Sequence, residues 1–422
     1  MTNLPFPRGV RDLMPNEAIF RNEVLRKAEH VMQQFGFTTI DTPSFESLKL
    51  LYAKNAIGED TKLIYELKNE DLGLRYDNTV SLARFVCMHK ELPLPFKRYY
   101  IGKVWRRDEP QHLRYREFTQ IDVDIVGGNE LSADSEVMAL GCKLFEAVGI
   151  DYIVKVNDRR IMDLALKKLG VSDALHMQVM RAIDKLDKMS ISGVAKLLSD
   201  MGIESDKVDM IMSFVGLHGS NDDKLDYAEK LIGDKNLVDN MRSVLSTIKL
   251  YSIKGDIEVD FSTMRGFDYY TGIVFEFKTK DVNESLCGGG RYDKLIGLYG
   301  GRDIPAVGFA VGVDRMLDNL SFSSSPISTY AKVFIANVGA QNYEYAVKVA
   351  NSLRNLGIPV DLNTSDKNLS NQLKYANAVK VPYVIIVGDH EEKMKKVKIR
   401  NLASGDEAVL EIGEVPKYIK RD

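Results

Sequence analysis

The sequence predicts a mixed α/β protein: a mainly antiparallel sheet with helices packed on it, interrupted by a helical segment and followed by a smaller parallel α/β domain. Three observations predict it. Strand-like stretches at residues 63–66, 73–76, 99–106, 116–126, 152–157, 257–260, 273–278 and 307–311 follow one another mostly without crossover helices. From about 171 to 253, Leu, Met, Ile, Lys and Asp recur at helical spacing and aromatics are scarce. Beyond residue 326, apolar strands alternate with helices, the pattern of parallel strands joined by crossovers. The 422 residues suffice for two or three domains, each burying its own core.

The elements follow in order. Residues 16–35 put Ile19, Val24, Ala28, Val31 and Met32 at helical spacing, and Gly36 supplies a stop. A short strand, 37–42, ends at Pro43. Strands 99–106 and 116–126 flank the charged, Pro-containing loop 108–114, which reads as a hairpin with a long tip. In the second of these strands, alternation sets Arg116, Phe118, Gln120, Asp122 and Asp124 on one face and Thr119, Ile121, Val123 and Ile125 on the other. Arg106 and Arg107 arrive from the partner strand. Such a polar face is either simply wet or suited to a nucleotide, with a ring for a base and cations for phosphates. GGGRY at 288–292 lacks the spacing of a dinucleotide fingerprint and reads as a tight backbone approach within the sheet; GxxxxGK[ST] is absent.

Residues 320–326 have linker composition. A strand at 333–337, a helix at 342–356, a strand at 359–362, a helix at 369–379 and a strand at 381–388 then build the last domain. Residues 391–402, EEKMKKVKIRNL, read as an edge hairpin with a lysine-rich turn, serving either a polyanionic partner or the protection of a sheet edge.

Net charge is −3, but it is uneven: residues 331–422 hold 14 Lys+Arg against 11 Asp+Glu, so the C-terminal part is the more basic. Cys87, Cys142 and Cys287 are too few for a disulfide framework, and the six histidines never fall at metal-ligand spacing. With no apolar run of membrane-spanning length and no signal-peptide stretch at the N-terminus, a cytoplasmic protein without a membrane partner is expected.

The hairpin FKRYYIGKVWRRDEPQHLRYREFTQIDVDIVG, 96–127, resembles motif 2 of the class II aminoacyl-tRNA synthetases. Its wording is similar to the histidyl-tRNA synthetase family in the eukaryotic and archaeal form. The resemblance recurs in RGVRDLMP at 8–15, LRYDNTVSLARF at 74–85, RGFDYYTGIVFEF at 265–277, GGGRYDKLIG at 288–297 and AVGFAVGVDRM at 306–316. It implies a class II α+β catalytic core over residues 1–325, interrupted at 171–253 by an inserted helical domain that in the family contacts the tRNA acceptor arm. It further implies an anticodon-binding domain over 328–422. The first helix and strand resemble motif 1, implying a homodimer, although a helix packing only on its own domain has the same pattern.

The implied activity is that of a histidine–tRNA ligase, using ATP with Mg2+ to activate L-histidine and then charging its tRNA. Such a reaction needs no protein nucleophile, because the amino-acid carboxylate attacks the α-phosphorus; aligning two anions calls for cations. By the resemblance, Arg106 bridges carboxylate and α-phosphate, Arg265 faces it there, Phe118 stacks on adenine, and Arg114 and Arg315 hold the outer phosphates. Arg315 also falls in the first turn of a helix beginning near Gly312, where an anion would offset the dipole; a surface arginine paired with Asp314 is the plain alternative. Asp77, Thr79 and Gln120 hold the α-amino group, Asp124 and Tyr270 meet the imidazole, and Tyr269 and Tyr292 line the pocket. Many relatives carry Glu at the position of Asp77. Gln111, in the motif 2 loop, is a candidate for the tRNA acceptor end, and no side chain is assigned to metal. The competing reading is the regulatory subunit of ATP phosphoribosyltransferase, a non-catalytic relative that lacks the anticodon domain.

Overall fold

The computed structural model describes residues 5–53, 60–187, 189–264, 269–279, 285–320 and 329–419. Two compact units divide the chain, one of Met1–Arg11 with Val24–Ser321 and one of Asp12–Glu23 with Phe322–Asp422.

In the first unit the strands are, in chain order, β1 (Thr38–Thr39), β2 (Phe45–Ser47), β3 (Tyr65–Glu66), β4 (Leu72–Leu74), β5 (Phe96–Trp105), β6 (Glu117–Val126), β7 (Ile153–Asp158), β8 (Asp256–Val259), β9 (Ile273–Lys278), β10 (Ser285–Arg291) and β11 (Ala306–Gly312). Eight of them form one sheet in the order β1-β5-β6-β11-β10-β9-β7-β8. It is antiparallel except at its two ends, where β1 joins β5 and β8 joins β7 in parallel. The mainly antiparallel sheet read from the sequence is therefore the observed one.

One face of the sheet is sealed by the helix Glu130–Val148, whose Phe145 packs at 5.2 Å, centroid to centroid, on Phe277 of β9. Alternation along β9 puts Phe275 and Phe277 on that aromatic side, where Phe309 and Tyr152 join them. The opposite face of the central strands is the polar one, and it carries the site. β1 is shorter than the expected 37–42. Just beyond it, the carbonyls of Thr42 and Pro43 accept from the buried Arg75 guanidinium, at 2.8 and 3.2 Å.

Between β7 and β8 the chain is helical, as expected, but the helices begin earlier, at Arg159–Lys168. His176–Ile183, Ile191–Asp200, Ser205–Val215, Asn221–Ile232 and Lys235–Leu250 follow. Local signals set the ends: Ser190 caps one helix, Ser220 and Asp223 form a reciprocal capping box on another, and Gly233, at φ +74°, closes it. Phe214, one of the segment's few aromatics, stacks at 4.5 Å on Phe261 beside the sheet.

In the second unit β12 (Val333–Asn337), β13 (Val360–Leu362), β14 (Tyr383–Val387), β15 (Val397–Asn401) and β16 (Glu407–Leu410) pair in the order β13-β12-β14-β15-β16. The first three are parallel and the last two antiparallel. Val333 and Ile335 pack with the helix Tyr343–Asn355 on one face, and Phe334 and Ala336 with the helix Leu369–Ala378 on the other. The expected lysine-rich hairpin turn is a correction. Asp389–Met394 is a helix whose Glu391 carboxylate accepts from the Gly388 N–H, and three acidic residues sit at its favourable positive end. The hairpin turn lies further on, at 402–406, and is built from Ser, Gly and Asp rather than Lys.

Candidate active site

The register of four neighbouring strands builds the site's floor. Across β5 and β6, Arg98 faces Asp124, Tyr100 faces Asp122, Gly102 faces Gln120 and Val104 faces Phe118. On the other side of β6, Gly308, Ala310 and Gly312 of β11 face Asp124, Asp122 and Gln120. Large polar side chains on one strand thus lie between small residues on its neighbour. A Cβ at Gly308 would meet Asp124 Oδ1 at 2.0 Å and the Val123 carbonyl at 2.6 Å. At Gly290 it would meet the Ile273 carbonyl at 2.6 Å and the Tyr270 ring at 2.8 Å. These two glycines are what close strand approach demands, Gly290 as the GGGRY reading anticipated.

A cleft opens over this floor. Asp77, Thr79, Arg106, Arg114, Phe118, Gln120, Asp124, Tyr269, Tyr270, Tyr292 and Arg315 all line it, joined by Asp108, Tyr115, Cys287, Gly308 and Asp314. The fold therefore gathers sequence-predicted residues that span more than 200 positions. Gln111 does not line the cleft. It is exposed at the hairpin tip, paired through its backbone with Arg114. Arg107 is exposed, and Arg265 lies outside the described residues.

One end of the cleft is cationic. The Arg106 guanidinium lies 5.2 Å from the Phe118 ring centroid, and its Nε donates to the Tyr76 carbonyl at 3.0 Å. Arg114 Nε donates to Asp108 Oδ2 at 2.9 Å. Arg315, at the start of the helix Val313–Asp318, donates from Nη1 to the Ser285 carbonyl at 3.0 Å. Asp314 pairs instead with Arg11, at 2.6 Å, so Arg315 is not the self-paired surface arginine of the plain alternative.

The other end is anionic and deeply buried. Asp77 caps the helix Asn78–Met88, accepting from the Thr79 N–H at 2.5 Å. Asp122 accepts from Asn78 Nδ2 at 2.7 Å. Asp124 accepts from the Tyr292 hydroxyl through Oδ1, and Arg98 Nη2 approaches its Oδ2 to 2.7 Å. Burial pushes the Asp122 carboxyl up to about 7, against the pull of Arg98 and with help from Asp77. Burial also raises Asp124, opposed by Arg98 and Tyr292. Burial raises the Tyr269 and Tyr292 phenols well above their ordinary range, so both are neutral donors at physiological pH. Gln120 Oε1 and Asn78 Oδ1 are buried with no hydrogen-bond partner among the described residues. Unsatisfied acceptors beside buried carboxylates suit a ligand that brings N–H donors and positive charge.

Tyr292 is held from below. Arg291, 1% exposed, pairs with buried Asp134 at 2.5 Å and with Asp293 at 3.0 Å, fixing the strand end that delivers the ring. Tyr269 packs at 4.8 Å on Tyr270 and at 5.8 Å on Tyr292.

Sequence reasoning missed Arg98, Asp108 and Gly308, and it left Asp122 on the polar face without a role. A signal for Arg98 was present. Once Arg106 and Arg116 are taken as the mouth of the hairpin, counting eight residues back along each strand sets Arg98 opposite Asp124. Among the described residues no cluster of three or more His, Cys, Asp and Glu is arranged to hold a metal, and no helix is long and apolar enough to cross a membrane.

Residues 9–316 match the family described as Histidyl-tRNA synthetase, and residues 332–422 match the Anticodon binding domain. The chain is 36% identical to the histidine–tRNA ligase of Aeropyrum pernix, covering 98% of this chain and 97% of that protein. It is 37% identical to that of Korarchaeum cryptofilum, covering 93% of each. The crystal structure of histidyl-tRNA synthetase from Nostoc superposes with a TM-score of 0.88 at 27% identity, covering 100% of both chains.

Proposed function

The chain belongs to the histidyl-tRNA synthetase family and acts as a histidine–tRNA ligase, and from that premise we propose which of its residues perform each part of the reaction. ATP lies with its adenine on Phe118 and its outer phosphates toward Arg114 and Arg315. Arg106 bridges the α-phosphate and the histidine carboxylate. Its position over Phe118 supports this, because a ligand stacked on that ring would hold its phosphates beside the guanidinium. Arg265 joins it there by the resemblance of its motif. No side chain attacks; the cations keep two anions in line and offset the charge that develops. Magnesium enters this reading as the counter-ion of ATP's outer phosphates.

Histidine occupies the anionic end. Its ammonium meets Asp77, Thr79 and Gln120, its ring N–H meets Asp124, and Tyr269, Tyr270 and Tyr292 enclose the imidazole. The unpartnered Gln120 Oε1 among buried carboxylates carries this assignment. A pocket that satisfies every polar atom of its substrate rejects apolar isosteres by roughly 10⁴ to 10⁵. The test is Asp124→Asn with calorimetric titration of histidine. A neutral amide loses the charge-assisted bond, so affinity should fall by about tenfold or more; an unchanged titration would remove Asp124 from the pocket.

The rest of the reading is coarser. The helical segment within 171–253 meets the acceptor arm, Gln111 lies near the acceptor end, and the protein works as a cytoplasmic homodimer. The match of residues 332–422 to an anticodon-binding domain argues against the regulatory-subunit alternative, which lacks one.

A further inference from the structure

We propose that Arg98, which does not line the cleft, is a positioning residue for histidine: its guanidinium keeps the Asp124 carboxylate charged and turned into the pocket. The substrate's ring N–H then meets an anion rather than a neutral acid. The inference rests on the assignment of Asp124 to the imidazole.

Three observations carry it. Arg98 is 1% exposed and stands directly opposite Asp124 in the β5–β6 register, with Nη2 2.7 Å from Oδ2. Among the described residues its Nε and Nη2 make no hydrogen bond, so it meets Asp124 as a charge, whereas the Arg75 guanidinium donates to backbone carbonyls. Finally, it is the one cation among the described residues that acts on both Asp122 and Asp124.

The groups facing Asp124 come from several elements: Asp122 on its own strand, Arg98 on β5, Tyr292 after β10, and Asp77 at the helix cap, while Gly308 on β11 contributes no charge. Burial and Asp77 favour the neutral acid; Arg98 and Tyr292 favour the anion. Removing Arg98 therefore moves Asp124 toward protonation at higher pH. Its companion Asp122 offers no substitute, since its carboxylate is already engaged by Asn78.

A purely structural arginine would lower stability and disturb both substrates alike. A positioning arginine acts on histidine alone and in a pH-dependent way. The experiment measures KM for histidine and for ATP by pyrophosphate exchange, from about pH 6 to about pH 9, in the full chain. The variants are Arg98→Met, Arg98→Lys, Asp124→Asn and the double variant Arg98→Met with Asp124→Asn. Arg98→Met should raise the histidine KM about tenfold or more near neutrality and leave the ATP KM within about twofold. The ratio of variant to parent, in which histidine's own titration cancels, should grow as pH falls. Arg98→Lys should recover part of the loss, and the double variant should be no worse than the poorer single, because both act through one charge.

Arg98→Met that is folded by circular dichroism and normal for histidine, beside a defective Asp124→Asn, would overturn the proposal alone. A parallel rise in both KM values with a flat pH ratio would do the same. If Asp124→Asn itself binds histidine normally, the Asp124 assignment fails first and this proposal with it. Should Arg98→Met not fold, Arg98→Lys decides: a histidine KM ratio to parent that grows as pH falls is expected, and a flat ratio refutes the proposal.

Discussion

Placing a methyl group at Gly308 tests the floor of the site by a route that leaves every functional side chain in the sequence. In Gly308→Ala the new Cβ would sit 2.0 Å from Asp124 Oδ1, 2.6 Å from its Cγ and 2.6 Å from the Val123 carbonyl. The carboxylate can rotate away, but the carbonyl is backbone, so β11 must also give. Overpacking of this kind costs about 1–3 kcal/mol of stability. Displacing Asp124 forfeits the proposed charge-assisted hydrogen bond to substrate, worth about 1.5–3 kcal/mol. At about 1.4 kcal/mol per decade, the histidine KM should rise by about 10- to 100-fold. The proposed ATP contacts are at the cationic end, so the ATP KM should stay within about threefold. Histidine-dependent pyrophosphate exchange with each substrate varied in turn reads both constants. A folded variant with a normal histidine KM would refute the reasoning, and an equal loss for both substrates would show that the methyl distorts the sheet as a whole.

Phe118→Ala should raise the ATP KM by about tenfold, since base stacking is worth roughly 1–3 kcal/mol, with histidine titration unchanged; equal loss of histidine affinity would make the ring structural. Arg265→Ala should slow pyrophosphate exchange by about 10²-fold or more while ATP binding persists, because in its proposed role the residue serves charge that peaks in the transition state. Near-normal exchange would end that assignment. Asp122→Asn should stabilise the ligand-free protein, and more so at high pH. The folded carboxyl is raised from 3.8 to about 7, so between those values the folded state holds a proton the unfolded chain has released. Its contribution to stability therefore falls as pH rises through that window, by up to about 1.4 kcal/mol per pH unit, and an amide is exempt. Melting curves at pH 5 and pH 8 check this: a gap between variant and parent that does not widen toward pH 8 contradicts it.

Most of the scaffold was legible because it obeys one period at a time. β9 and β12 fall at the residues the sequence predicts, 273–278 and 333–337, since runs of Val, Ile and Phe between turn residues admit little else. Alternation along β6 brought Phe118, Gln120 and Asp124 to one face, and burial of both faces of that strand's end rules out the wet reading. What escaped was whatever depends on a partner distant in sequence. The carbonyls at the end of the 37–42 segment accept from Arg75, more than thirty residues on, and no local pattern announces that. Residues 391–394 are too few to distinguish a turn from a capped helix by periodicity. Arg98 reads as one more cation in a basic strand until the ladder sets it against Asp124.

The strand order has a consequence for synthesis. β6 closes one side against β5 almost as soon as both emerge, but its other side waits for β11, about 180 residues later. At about 5–20 residues per second that is a delay of about 10–40 s. During it, an edge carrying Ile121, Val123 and Ile125 is open to pairing with any extended chain nearby. Asp122 and Asp124 interrupt that apolar run, and while hydrated they are fully charged. The carboxylates whose burial shapes the finished pocket thus also put charge on the strand for as long as its second edge is unpaired.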